Sequence, residues 1–221
     1  MIIINNLKAI LSELPAWIKL VCVSKNHSVD DILLIYNNGH KIFGENKVQE
    51  LLDKKELLPK DIEWHFIGHL QTNKVKYIVP FVSVIHSVDS FTLLSEINRQ
   101  AVRNGCIIDC LLQFHIAEEE TKYGLSYEEA CEMLKLPSRY EINNIRIKGV
   151  MGMATFTDNE TQVSKEFKAL HEIFIALKTE FFRNEDEFKE ISMGMSDDYR
   201  LAIKQGSTIV RIGTGIFGQR V

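Results

Sequence analysis

The feature that most constrains this 221-residue chain is an alternation. Short runs rich in β-branched residues recur along it, and segments with helical periodicity separate them. The β-rich runs fall at 18–23, 41–43, 62–66, 82–86, 107–114, 145–150, 188–192 and 208–212. Helices are expected over 28–36, 47–57, 71–79, 90–103, 126–136, 159–182 and 196–205. Their ends carry punctuation: Ser28 and Ser126 as caps, Gly105 and Gly206 as stops, Pro80 and Pro137 past two C-termini. Within 47–57, Val48, Leu51 and Leu52 fall on different faces from Lys54 and Lys55.

Strands that alternate with helices pair in parallel, because a parallel neighbour is reached only through a crossover. Eight such units close naturally into a single (β/α)₈ barrel, near the short end of that fold's range. An open, doubly wound sheet satisfies the same periodicity. Residues 1–14 read as an extra N-terminal helix ahead of the first strand. No linker, repeat or low-complexity stretch divides the chain, so residues 1–221 are expected to form one domain.

Charge narrows the function classes. Lys and Arg total 26 against 30 Asp and Glu, a net charge of −4. A slightly acidic chain lacks the electrostatic footprint of a general nucleic-acid or anionic-membrane binder. No apolar run is long enough for a membrane span, and the N-terminus does not read as a signal peptide. The four cysteines form no C-x-x-C pair, and Cys22 and Cys110 lie inside apolar runs. A reduced cytoplasmic protein without a zinc site is expected. His65 and His69 are four apart but straddle a strand-to-loop break at Gly68, so no metal pair is expected.

In a (β/α)₈ barrel the chemistry sits at the carboxyl ends of the strands. Polar, charged and glycine residues gather there in this sequence. Lys25 follows the first strand, Glu45 and Asn46 the second, Ser196 the seventh, and Gly213, Thr214 and Gly215 the eighth. The last two loops are where barrels often hold phosphate. Ser196 offers a hydroxyl before a helical run, and the glycines let backbone N–H groups approach an anion. The bland alternative is a tight barrel loop. Lys25 stands at the mouth of an apolar barrel, where desolvation eases loss of its proton, and a neutral amine forms a Schiff base with an aldehyde. The bland alternative for Lys25 is a snorkelling or salt-bridged lysine.

Several segments, in order, resemble one family. They are Val23-Ser24-Lys25, Phe43-Gly44-Glu45-Asn46, the stretch from Trp64 to Lys74, Ser87-Val88-Asp89-Ser90, the stretch from Ser192 to Asp197, and the stretch from Val210 to Gly218. The family is the pyridoxal phosphate homeostasis proteins, also called YggS or PROSC proteins. The resemblance implies a barrel like the N-terminal barrel of alanine racemase, with pyridoxal 5′-phosphate held on Lys25 as a Schiff base. It implies a role in vitamin B6 and amino-acid homeostasis, with no established catalytic turnover and so no catalytic residue.

Carried over position by position, Ser196, Gly213 and Thr214 resemble the phosphate cradle, and Asn46 resembles a polar contact near the ring. Arg211 resembles the partner of the pyridine nitrogen. Arginine cannot accept a proton, so it would leave that nitrogen unprotonated and the ring a weaker electron sink. The chain departs from the family's Asn-x-Ser/Thr pattern at His115-Ile116-Ala117, while Lys122 and Gly124 match its Lys-x-Gly pattern. The enzyme alternative is an amino-acid racemase. That chemistry needs a second acid–base group, which alanine racemase takes from a tyrosine on a further β-domain, and this chain ends just after Gly218. A monomer is expected, with apo pyridoxal-phosphate enzymes as acceptors. Lys122 is read either as a relay amine, opposed by Glu118, Glu119 and Glu120, which favour its charged form, or as a surface lysine paired with those glutamates. A barrel that binds another phosphorylated metabolite without a covalent bond is a third reading.

Overall fold

The computed structural model describes residues 2–119 and 123–218, the side chains of residues 139 and 140 excepted. Among these, the strands are β1 (Lys19–Val23), β2 (Ile42–Glu45), β3 (Glu63–Phe66), β4 (Val84–Val88), β5 (Ile108–Phe114), β6 (Ile145–Gly152), β7 (Glu190–Ser192) and β8 (Ile209–Ile212). They pair in parallel in chain order, and β8 returns to β1 to close a barrel. The closing register, Lys19 with Ile209 through Cys22 with Ile212, is what excludes the open sheet. The helices are α1 (Ile2–Glu13), α2 (Val29–Tyr36), α3 (Val48–Leu57), α4 (Val75–Ile78), α5 (Phe91–Asn104), α6 (Tyr127–Lys135), α7 (Glu160–Glu180), α8 (Tyr199–Lys204) and α9 (Thr214–Phe217).

Alternation along each strand makes two cores. Val21, Val84, Leu111, Met151 and Ile209 form a small cluster, distinct from the larger one that takes Leu20, Cys22, Phe43, Ile85 and Val210. The first set faces the barrel interior, and the second packs between strands and helices. Burial pushes the Cys22 and Cys110 thiols up, which makes them inert filler. The caps read from sequence are present. Ser28 and Ser126 each accept from the third helical N–H, and Asp31 and Glu129 return the bond. Gly105 ends α5 in the left-handed region at φ 62°. α1 is tied to the last turn by Asn6, whose Nδ2 donates to the Ile216 carbonyl at 3.1 Å.

The structure corrects several boundaries. β2 continues through Glu45, which pairs with Phe66, because the glutamate finds buried partners. β4 begins two residues later than expected, since Val82 N–H still bonds the Ile78 carbonyl. β6 runs on to Gly152, past a register shift opposite Cys110 and Leu111. The helix expected over 71–79 is a 3₁₀ turn, Thr72–Lys74, followed by α4. The helix expected from 196 starts at Tyr199; Asp198 turns its carboxylate back to accept from Met195 N–H at 2.5 Å. The loop after β8 contains α9, which the glycines concealed. Lys54 lies on the buried side of α3 with Leu51, not on a separate face.

Candidate functional site

Lys25 lies two residues past β1, half-buried. The backbone around it is fixed on both sides. Ser24 is fully buried, and its N–H bonds the Gly44 carbonyl at 3.0 Å. Asn26 sits at φ 62°, a left-handed conformation that asparagine tolerates better than most residues. The Lys54 ammonium reaches in from α3 and donates to the Ser24 carbonyl at 2.7 Å. It also donates to Glu45 at 2.7 Å and Glu50 at 2.6 Å. Glu45 Oε1 accepts from Ser24 Oγ as well, at 2.7 Å, and Glu50 accepts the Asn26 N–H. Two carboxylates and one ammonium therefore clamp the residues flanking Lys25.

The clamp is expensive to build. The Lys54 side chain is 8% exposed and the Glu45 side chain not at all. Burial pushes Glu45 above the ordinary carboxylate range, against the charge and hydrogen bond of Lys54. Burial raises Glu50 too, but the hydrogen bonds from Lys54 and Asn26 outweigh it and hold this carboxyl below its usual value. Glu45 Oε2 is buried without a hydrogen bond.

The loops after β1 and β8 abut. A Cβ on Gly213 would lie 3.2 Å from the Val23 carbonyl oxygen, and the His27 ring stacks on Phe217 at 4.2 Å. Ser196 Oγ accepts the Gly215 N–H at 3.1 Å, joining the β7 and β8 loops. That bond uses one of the amides expected to be open to an anion. Gly213 stands at the N-cap of α9, and Thr214 is exposed. Asn46 follows β2 and is half-buried, and its backbone packs directly on Gly68, where a Cβ would meet the Asn46 oxygen at 2.2 Å.

Arg211 lies inside the barrel, paired in register with Val21. Its Nη1 donates to Ser192 Oγ at 2.6 Å and its Nη2 to the Gly152 carbonyl at 3.1 Å. Burial lowers its pKa to about 10, so it stays cationic at neutral pH. Among the described residues no carboxylate lies within ion-pair distance of it. A buried guanidinium with donors to spare fits a ligand that brings an acceptor, such as an aromatic ring nitrogen. The donor set of Lys25 amine, guanidinium, two hydroxyls and glycine-lined turn fits pyridoxal phosphate in kind: amine for aldehyde, cation for ring nitrogen, hydroxyls and amides for phosphate.

The sequence-identified residues Lys25, Asn46, Ser196, Arg211, Gly213 and Thr214 all lie at or just below the carboxyl end of the barrel. His115, where the family pattern breaks, has Nε2 on the Glu119 carbonyl at 2.8 Å, so the ring closes its own loop. Lys122 and Glu120 lie outside the described residues. His65 and His69 do not converge: His65 is inside the barrel, while His69 pairs with Asp89 at 3.3 Å. No cluster that could hold a metal occurs among the described residues, and no helix among them is long and apolar enough to cross a membrane. Sequence reading placed Glu45 at a strand end but gave it no role, and missed Glu50 and Lys54. The available signal was Lys54 itself, four residues after Glu50 and three after buried Leu51.

A family model of the alanine racemase N-terminal domain matches residues 2–221. The alanine racemase of Bartonella henselae shares the fold at TM-score 0.73 and 14% identity, over 98% of this chain and 58% of that one. The chain is thus a barrel of the alanine racemase N-terminal class. The pyridoxal phosphate homeostasis protein of Aquifex aeolicus is 41% identical over 203 residues, 91% of this chain and 87% of that protein. Its counterpart in Haemophilus influenzae is 37% identical over 207 residues, 92% and 85% of the two chains. PipY of Synechococcus elongatus, solved with PLP bound, matches at TM-score 0.88 and 32% identity, over 98% of this chain and 100% of that one. Within its class the chain belongs to the pyridoxal phosphate homeostasis protein family.

Proposed function

We propose that the carboxyl-terminal mouth of this barrel binds pyridoxal 5′-phosphate on Lys25 and holds it for delivery, within intracellular vitamin B6 and amino-acid homeostasis, without turning over a substrate. The observation that carries this reading is Arg211: a buried cation with no carboxylate within ion-pair distance among the described residues, Asp198 acting on it only from farther off, below the strand end that bears Lys25. The cofactor supplies an aldehyde that condenses reversibly with a lysine amine and a ring whose strength as an electron sink depends on protonation. A guanidinium only donates, so Arg211 leaves the ring nitrogen unprotonated. That choice of residue suits storage better than carbanion chemistry.

The other assignments follow from the donor set. Ser196, Gly213 and Thr214 hold the phosphate, Asn46 contacts the ring's surroundings, and the Lys54 clamp keeps the backbone of Lys25 in place. Residues 1–221 act as one barrel domain and a monomer on this reading. A reducing, cytoplasmic setting goes with it, supported by four cysteines that form no disulfide. Apo pyridoxal-phosphate enzymes are the acceptors, with Lys122 as a relay amine.

The test loads the purified protein with pyridoxal 5′-phosphate, incubates it with an apo pyridoxal-phosphate enzyme, and follows recovery of that enzyme's activity. A parallel reaction offers L-alanine and measures D-alanine. Recovery of the acceptor without racemisation is expected. Sustained racemisation would move the protein to the enzyme class, and failure to bind the cofactor would overturn the reading.

A further inference from the structure

Four polar side chains form a line across the barrel interior, beside the Lys19–Glu190 pair. Glu63 opens the line at the amino-terminal end of β3, its side chain 41% exposed. His65 Nε2 lies 3.0 Å from Glu63 Oε1, and His65 Nδ1 lies 2.8 Å from His86 Nε2. His86 Nδ1 lies 3.0 Å from Ser192 Oγ, which also accepts from Arg211 Nη1 at 2.6 Å. His65, His86 and Ser192 are wholly buried.

The two ends dictate the direction of every bond between them. Arg211 can only donate, so Ser192 Oγ accepts from it. The one Ser192 proton is then free for His86 Nδ1, and no other acceptor for it occurs among the described residues. A neutral His86 with an accepting Nδ1 carries its proton on Nε2 and donates to His65 Nδ1. His65 in turn carries its proton on Nε2 and donates to Glu63, which as a carboxylate only accepts. The reverse order leaves the Ser192 proton without a partner. Burial holds both histidines below their ordinary pKa, and the His65 hydrogen bond holds Glu63 below its own. The charged groups that reach the pair are Glu63, Lys19, Glu190 and Arg211, and Lys19 and Glu190 pair with each other at 3.8 Å.

We propose that Glu63, His65, His86 and Ser192 are positioning residues for Arg211, a one-way hydrogen-bond chain that fixes the guanidinium from the opposite end of the barrel. The chain leaves both histidines in the Nε2–H form. Aligned hydrogen bonds polarise one another, so the carboxylate at one end strengthens the Arg211–Ser192 bond at the other. The guanidinium is thereby held against Ser192 and Gly152, with its remaining N–H groups directed to the ligand. The role toward the ring nitrogen rests on the cofactor reading above; the tautomers do not.

Two measurements separate the two. In ¹⁵N-labelled, unloaded protein at neutral pH, histidine ring correlations should show His65 and His86 neutral, with the proton on Nε2 in both. A proton on Nδ1 of either ring, or a doubly protonated ring, overturns the chain and leaves the cofactor reading standing. In protein loaded with ring-¹⁵N pyridoxal 5′-phosphate, Glu63→Met should displace the ring-nitrogen resonance, and Glu63→Gln, which keeps an accepting oxygen, should restore it. Loss of one net hydrogen bond corresponds to up to about tenfold weaker binding in Glu63→Met. An unmoved resonance and unchanged affinity in Glu63→Met would reject the positioning role. Failure of the unsubstituted protein to take up the cofactor would reject the cofactor reading, and with it the role assigned toward the ring.

Discussion

Replacing Lys54 with methionine removes the ammonium from the clamp and keeps the length of the stem. Glu45, with no exposed side-chain surface, then loses the cation that bonds it, and the Ser24 carbonyl is left with the His27 N–H as donor. Breaking a buried pair by removing one partner costs about 3–5 kcal/mol. The loss depends on pH, because Glu45 can take up a proton instead. In the parent, burial already makes Glu45 bind its proton more tightly folded than unfolded, so its contribution to stability falls as pH rises through the window between the ordinary value and the raised one. Without the charge and hydrogen bond of Lys54 that window widens upward. Urea unfolding at pH 5 and pH 8 should therefore show the larger loss at pH 8, and adding Glu45→Gln should recover most of it. A loss of equal size at both pH values, with no recovery from Glu45→Gln, would refute the assignment of Glu45 and Lys54 as a coupled buried pair.

Other substitutions probe the remaining parts of the site. Gly68→Ala should destabilise by roughly 1–3 kcal/mol through overpacking, since its Cβ would meet the Asn46 backbone, and cofactor affinity should fall with it; thermal melts and titration check both. Pyridoxal without its phosphate should bind far more weakly than the phosphate ester, because charge-assisted bonds to an anion are worth about 1.5–3 kcal/mol each; equal affinity by titration would remove Ser196, Gly213 and Thr214 from a phosphate role. Arg211→Glu should change the absorbance of loaded protein and its pH dependence, because a carboxylate can support a protonated ring where a guanidinium cannot; an unchanged titration would place Arg211 away from the ring.

The barrel was legible because its cause is periodic. Eight β-branched runs separated by capped helical segments leave parallel pairing with crossovers as the natural topology, and strand ends then gather the chemistry. Lys25, Asn46 and Arg211 were reached through motifs at those ends. The clamp on Lys25 was not legible, because Glu45, Glu50 and Lys54 are ordinary surface residue types whose burial depends on how α3 lies against β1 and β2. The Glu63–His65–His86–Ser192 line was hidden for a similar reason. Its members come from β3, β4 and β7, and only closure of the barrel makes them neighbours. The helix after β8 was masked by Gly213, Gly215 and Gly218, which read locally as a turn.

The central claim is that Lys25 carries the cofactor, and borohydride reduction tests it most directly. Protein loaded with pyridoxal 5′-phosphate, reduced, digested and mapped by mass spectrometry should carry the pyridoxyl phosphate adduct on the peptide that contains Lys25. The adduct should vanish from that peptide in Lys25→Ala. An adduct fixed on another residue, or the same covalent yield in Lys25→Ala, would contradict the account.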